Sequence, residues 1–197
     1  MRGRSVRAAM LLAALALAGC ETRYSQYLQW TPSEKDGRVM LNAPELGGAT
    51  RRTLVREAPN YYADEELSLW YRDQSAPPQA QVIRRTLSPG RYFITLPELK
   101  DVIGDFGRST GLAVQLGAEG RTVNALGPVD YQLFRLGEAD CIQFREVTGS
   151  AVRQPSSFAV PSGNTLLLGY YCAAPGVAMT PEQRRDILQS LDLKPER

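Results

Sequence analysis

Six carboxylates stand where an acid–base pair could be assembled: Glu65, Glu66, Asp101, Asp105, Glu138 and Asp140. Glycoside hydrolysis needs two such groups about 5–9.5 Å apart, and the spacing along the chain selects no two of the six. Glu138 and Asp140 fall in a turn, where acids are ordinary solvated residues. The chain has no histidine. That excludes Ser–His–Asp and Cys–His catalysis and imidazole-based zinc sites. Its three cysteines are too few for a four-thiolate zinc site. Only Lys35, Lys100 and Lys194 carry an amine, and none adjoins a nucleophile motif. Gly104 and Gly107 lie inside a helical pattern rather than ahead of one, so they do not form a phosphate-cradling loop. No dinucleotide fingerprint is present either. The residues therefore name no catalytic group, no cofactor and no metal site; the enzymatic alternative is a carboxylate-based cell-wall hydrolase or another envelope enzyme.

The cysteines are more informative. Cys20 ends an apolar run, whereas Cys141 and Cys172 sit far downstream. Residues 1–7 carry Arg2, Arg4 and Arg7 and no acid, and Ala8–Ala18 is an unbroken stretch of eleven Ala, Met and Leu residues. A bilayer-spanning helix takes about 20. A basic head before a short apolar body has the form of a secretory signal. Ala16-Leu17-Ala18 reads as an A-x-A site for ordinary signal cleavage, which would release a soluble chain.

Leu17-Ala18-Gly19-Cys20 also resembles, at all four positions, the lipobox of bacterial lipoproteins. The resemblance covers the signal alone and identifies no family for residues 50–197. It implies a diacylglyceryl group on the Cys20 thiol, cleavage ahead of Cys20, and acylation of the new amine. In enterobacterial lipoproteins an Asp after the lipidated Cys retains the protein at the inner membrane. Glu21 occupies that place here, which points to the outer membrane. Two or three acyl chains make attachment effectively permanent, since each buried methylene contributes ~0.8 kcal/mol. With Cys20 lipidated, Cys141 and Cys172 form one even pair in an oxidising compartment. Their bridge closes about 32 residues and stabilises the chain by about 3–4 kcal/mol.

Charge removes a further class. Three of the 23 Lys and Arg lie in the signal and none of the 21 Asp and Glu does, so residues 20–197 are acidic by one charge. A nucleic-acid partner lacks its electrostatic footprint. The doublets Arg51-Arg52, Arg84-Arg85 and Arg184-Arg185 could fork onto carboxylate or phosphate of peptidoglycan or lipopolysaccharide. The plainer reading is a solvated basic surface.

The elements that position these residues follow from periodicity. Glu21–Thr50, with Pro32, Pro44 and several glycines, reads as a tether of about 30 residues standing roughly 30 Å from the bilayer. Tyr24, Tyr27 and Trp30 lie near the anchor, either at headgroup level or simply scattered along a linker. Thr53–Glu57 and Leu67–Tyr71 read as strands. Ala80–Leu87 and Arg91–Leu96 read as a hairpin over Ser88-Pro89-Gly90.

Leu99, Val102, Ile103 and Phe106 share a helical face, with a capping box at Thr95 and Glu98. Leu112, Val114 and Leu116 alternate before a turn at Gly117–Gly120, from which Arg121–Leu126 pairs back. A turn at Gly137–Asp140 sets Leu136 opposite Cys141. Val129, Tyr131, Leu133, Ile142 and Phe144 then share one face, and Phe134, Leu136 and Cys141 the other. Thr165–Cys172 is a buried strand. Thr180-Pro181-Glu182-Gln183 starts a second helix, with Ile187, Leu188 and Leu191 inward. The long loop Ala151–Asn164 offers Phe158 either to a partner or to the core.

The expected organisation is a signal over 1–19, an anchor and tether over 20–50, and one domain over 51–197. That domain is α+β, a predominantly antiparallel sheet with two short helices and one disulfide. Its expected setting is the cell envelope, lipid-anchored at the outer membrane and facing the periplasm. The expected role is binding or assembly, with an envelope protein or peptidoglycan as partner.

Overall fold

The computed structural model describes residues 30–33, 37–56, 62–74, 78–88, 96–149 and 163–194. Its strands are β1 (Thr31–Pro32), β2 (Val39–Leu41), β3 (Thr50–Arg56), β4 (Tyr62–Tyr71) and β5 (Ala80–Leu87). They continue with β6 (Val114–Val123), β7 (Pro128–Leu136), β8 (Ala139–Thr148), β9 (Thr165–Cys172) and β10 (Leu191–Leu193). Two helices, α1 (Leu99–Thr110) and α2 (Pro181–Gln189), complete the set with a 3₁₀ turn at Pro44–Leu46. Eight strands form one sheet in the order β1-β3-β4-β5-β9-β8-β7-β6, and β10 pairs with β2 apart from it. Every pairing is antiparallel. The α+β description holds with the sheet dominant.

Strand β9 sits at the join. Its seven consecutive buried residues, Thr165–Tyr171, need cover on both faces, and both its edges are paired, to β5 and to β8. The neighbours of β5 are therefore β4 and β9, rather than the segment after Ser88 that the hairpin pattern suggested. Pro89, Gly90 and Arg91 of that pattern lie outside the described residues.

The β7–β8 hairpin forms over a tighter turn than expected. Leu136 pairs with Ala139 and Phe134 with Cys141, a shift of two residues. A shift of two preserves faces, because side chains alternate with period two. Val129, Ile142 and Phe144 accordingly share one core cluster, while Phe134, Leu136 and Cys141 share another.

The turn expected at Gly117–Gly120 is instead a bulge within a single ten-residue strand, β6, between Leu116 and Glu119. The glycines admit the close packing: a Cβ on Gly120 would meet the Tyr131 hydroxyl at 2.6 Å. Glycine inside a strand commonly marks such a site.

Helix α1 covers the Cys141 face. Ile103 is fully buried there against Phe134 and Leu136, and Phe106 stacks on Tyr170 with ring centroids 4.5 Å apart. Burying one such aliphatic side chain contributes about 1.5–3 kcal/mol. The helix ends on Gly111 in the left-handed region, as a C-terminal glycine allows. Its N-cap is Glu98 without a side-chain cap bond, and Thr95 of the expected box lies outside the described residues.

The other face is covered by α2, the 3₁₀ turn and the β2–β10 pair. Ile187, Leu188 and Leu191 pack on Trp70, Ala80, Val82, Phe144 and Leu167. The cap of α2 is the reciprocal Thr180–Gln183 box. The tether expected over residues 20–50 gives way to folded structure from Thr31 onward; residues 20–29 lie outside the described residues. Val39, Leu41, Ala43 and Leu46 are core residues, and β1 pairs with β3 from Thr31. The alternation in Val39–Leu41 is too short to register as a strand by itself; its partner, β10, lies at the far end of the chain.

Candidate functional site

Cys141 and Cys172 are directly opposed on β8 and β9 and joined by a disulfide, with Cα atoms 4.1 Å apart. The bond lies beneath α1 in the cluster of Ile103 and Phe134. Its position is structural: Cys141 is 1 % exposed. Cys20 and Phe158 lie outside the described residues.

The arginine doublets are the main departure from expectation. Successive residues on a strand point to opposite faces, so β4 presents Glu66 to one face and Glu65 to the other. Both are buried. Glu66 accepts from the backbone amides of Arg38 at 2.9 Å and Val39 at 3.1 Å, and from Ser68 at 3.0 Å. The Arg51 guanidinium on β3 stands 3.4 Å from it and that of Arg84 on β5 stands 3.3 Å away. Arg84 also reaches Asp64 at 2.8 Å and Thr86 at 2.6 Å.

On the opposite face Glu65 pairs with Arg56 and with Arg85, the latter at 2.7 Å. Arg84 is thus buried in an ionic cluster, and Arg51 and Arg85 are half-buried in ion pairs rather than spread on a solvated surface. The surface reading holds for Arg52 and Arg185, which are exposed. Gly37 lets the chain cross this cluster, because a Cβ there would stand 2.3 Å from Glu66 Oε1.

The candidate carboxylates are therefore dispersed. Glu65 and Glu66 lie on opposite faces, each held by arginine. Asp101 and Asp105 are on the exposed side of α1. Glu138 is exposed in the turn, and Asp140 pairs with Arg135 and accepts the Met179 amide at 3.2 Å.

An open groove among the described residues lies between the start of α1 and strands β6 and β7, with a volume of about 660 Å³. Its charged lining is Glu98, Glu119 and Asp130 against Lys100, Arg121 and Arg145. Asp130 accepts from Arg121 at 2.6 Å and from Arg145 at 2.9 Å. The Arg121 hydrogen bond, aided by Arg145 and opposed by partial burial, holds its carboxyl below the usual range. Asp130 is thereby held between two guanidinium groups. Arg145 also donates to the Pro97 carbonyl at 2.7 Å, which ties α1 to the sheet. This groove joins residues distant in sequence, and only the alternation of charge along Arg121, Asp130 and Arg145 could have hinted at it.

One carboxyl moves the other way. Glu146 on β8 is 1 % exposed and points to the α2 face. Asn124 donates to its Oε2 at 3.0 Å, and Oε1 is buried without a hydrogen-bond partner. Burial pushes Glu146 up to about 7, with nearby Asp192 adding to the shift against the Asn124 bond. Asn124 also donates to the Leu188 carbonyl at 3.1 Å and accepts the amides of Leu126 and Gly127. It thereby joins the β6–β7 turn to α2. Such a pKa suits a general acid, but the group is sealed from solvent and from the groove.

No family model, no curated protein and no solved structure matches the chain. Among the described residues, no helix is long and apolar enough to cross a membrane.

Proposed function

We propose that the chain is a bacterial cell-envelope lipoprotein, held by lipid on Cys20 at the outer membrane, whose periplasm-facing domain is a binding or assembly module. The observation that carries this reading is the Cys141–Cys172 disulfide. It consumes two of the three cysteines and suits an oxidising compartment. The remaining thiol is the one in the lipobox-like sequence. The dispersed, arginine-held carboxylates support a binding role over hydrolysis. The groove beside α1, lined equally by both signs of charge, fits a partner that carries both, such as an envelope protein or the peptide part of peptidoglycan.

Two arms test the proposal. Cys20→Ser should abolish incorporation of labelled palmitate and move the protein from the membrane fraction to the soluble periplasm with its fold intact. Retention of the variant in the membrane fraction contradicts the anchor. Arg121→Glu in the groove should reduce recovery of envelope proteins or sacculi with the domain, and unchanged recovery contradicts the groove assignment.

A further inference from the structure

The structure fixes where the anchored chain enters the domain. Strand β1 begins at Thr31 and pairs with β3, with Thr31↔Val55 and Pro32↔Leu54 in register. The Thr31 hydroxyl donates to the Val55 carbonyl at 3.1 Å. One residue earlier, the Trp30 ring receives the Arg56 guanidinium at 4.6 Å from its centroid. Trp30 stands ten positions after Cys20, and that length spans at most about 35 Å even if fully extended. The attachment point is therefore one edge of the eight-stranded sheet. The opposite edge, β6, is seven strand spacings away, roughly 34 Å.

Charge divides along the same axis. Strands β3 to β5 carry Arg51, Arg52, Arg56, Arg84 and Arg85 against Asp64, Glu65 and Glu66, an excess of two positive charges, of which Arg52 is the exposed arginine. Strands β6 to β9 carry Arg121, Arg135 and Arg145 against Glu119, Asp130 and Asp140, an even balance apart from the buried Glu146. At the β3 edge, Arg52 is exposed, and Val55 is an exposed large apolar residue at 37 %. A tryptophan and an exposed arginine suit the headgroup level of a bilayer.

We infer that the β1–β3 edge, with Trp30, Arg52, Val55 and Arg56, rests on the anionic phospholipid surface that holds the anchor. The β6 edge and its groove then face away into the periplasm. This rests on the lipid anchor of the preceding section. It goes further in assigning an orientation and a second membrane contact made by the folded domain itself.

The test is backbone hydrogen exchange on the full lipidated chain in vesicles of phosphatidylcholine with or without phosphatidylglycerol. Lipid on Cys20 is verified first by intact mass. On anionic vesicles, amides of Thr31 and of the outer edge of β3 should exchange roughly fivefold more slowly than on neutral vesicles. Those of β6 should not change. Arg52→Glu should remove the difference, whereas Val123→Glu at the far edge should leave it. Equal protection at both edges, or protection at β6, in a verified lipidated chain overturns the orientation and leaves the anchor standing. Absence of lipid on Cys20 overturns both. Equal slowing at this edge on both vesicle types shows a contact that does not depend on anionic lipid, and it overturns the inference of an anionic surface.

Discussion

The Val39 amide donates to Oε1 of Glu66 at 3.1 Å, across 27 residues of chain. This bond and that of Arg38 dock the β2 segment on the sheet at a point where two arginines from neighbouring strands converge. A buried carboxylate here serves as a joint between the segment that arrives from the N-terminus and the interior. Removing one member of a buried ionic group typically costs about 3–5 kcal/mol, because the other charge is left uncompensated. Glu66→Ala should therefore lower stability by about 3 kcal/mol or more in urea unfolding. Glu66→Gln keeps the side-chain shape and one of the two acceptor oxygens, and should cost less. Equal, small losses in both variants would deny Glu66 that role.

Glu146 gives a pH signature. Its ordinary value is 4.5 and its folded value is about 7. Below the ordinary value both folded and unfolded chains bind the proton, so the group imposes no penalty. As pH rises towards the folded value, only the unfolded chain ionises, and stability falls by up to about 3 kcal/mol. Above that value the loss stays constant. Glu146→Gln should match the parent at acid pH, exceed it above neutrality and flatten the curve between. Thermal unfolding across that range reads the difference; parallel curves for parent and variant would rule out Glu146 as the source.

The two glycines of α1 should respond oppositely to alanine. A Cβ on Gly104 would meet only the Arg108 side chain, at 3.5 Å, whereas one on Gly107 would stand 2.3 Å from Val114 Cγ2. Gly104→Ala should stabilise by about 0.5–1 kcal/mol through helix propensity. Gly107→Ala should destabilise by about 1–3 kcal/mol through overpacking against β6. Calorimetric melting temperatures moving in the same direction would refute the packing described for α1.

The disulfide links residues 31 apart in sequence and directly opposed across β8 and β9. Loss of that cross-link should cost about 3 kcal/mol in the chain-entropy account. Cys141→Ala with Cys172→Ala should therefore unfold at lower urea, and the parent under reductant should approach the double variant. Insensitivity of the parent to reductant would show that the bond contributes nothing.

Periodicity made some of this legible in the sequence and tertiary contact made the rest illegible. The faces of β7 and β8 could be read because alternation survives an error of two in register. Helix α2 was readable because its cap is local, Thr180 to Gln183. The β2 segment was hidden: three residues between prolines and glycines carry no period, and their partner β10 is known only from the fold. Gly117 and Gly120 look like a turn in one dimension because their real constraint, Tyr131 and Leu133 on the next strand, is a tertiary one. The doublets misled for a related reason. Arg84 and Arg85 point to opposite faces, and only strand pairing shows that Glu66 and Glu65 await them there. The groove brings together residues from α1, β6, β7 and β8, so no stretch of sequence contains it.

The anchor is tested most directly by the mass of the N-terminal peptide of the purified mature protein. The account predicts a chain beginning at Cys20, with diacylglyceryl on its sulfur and an acyl group on its amine. A chain beginning at Gly19 with an unmodified Cys20 thiol, or one that retains residues 1–19, would contradict it.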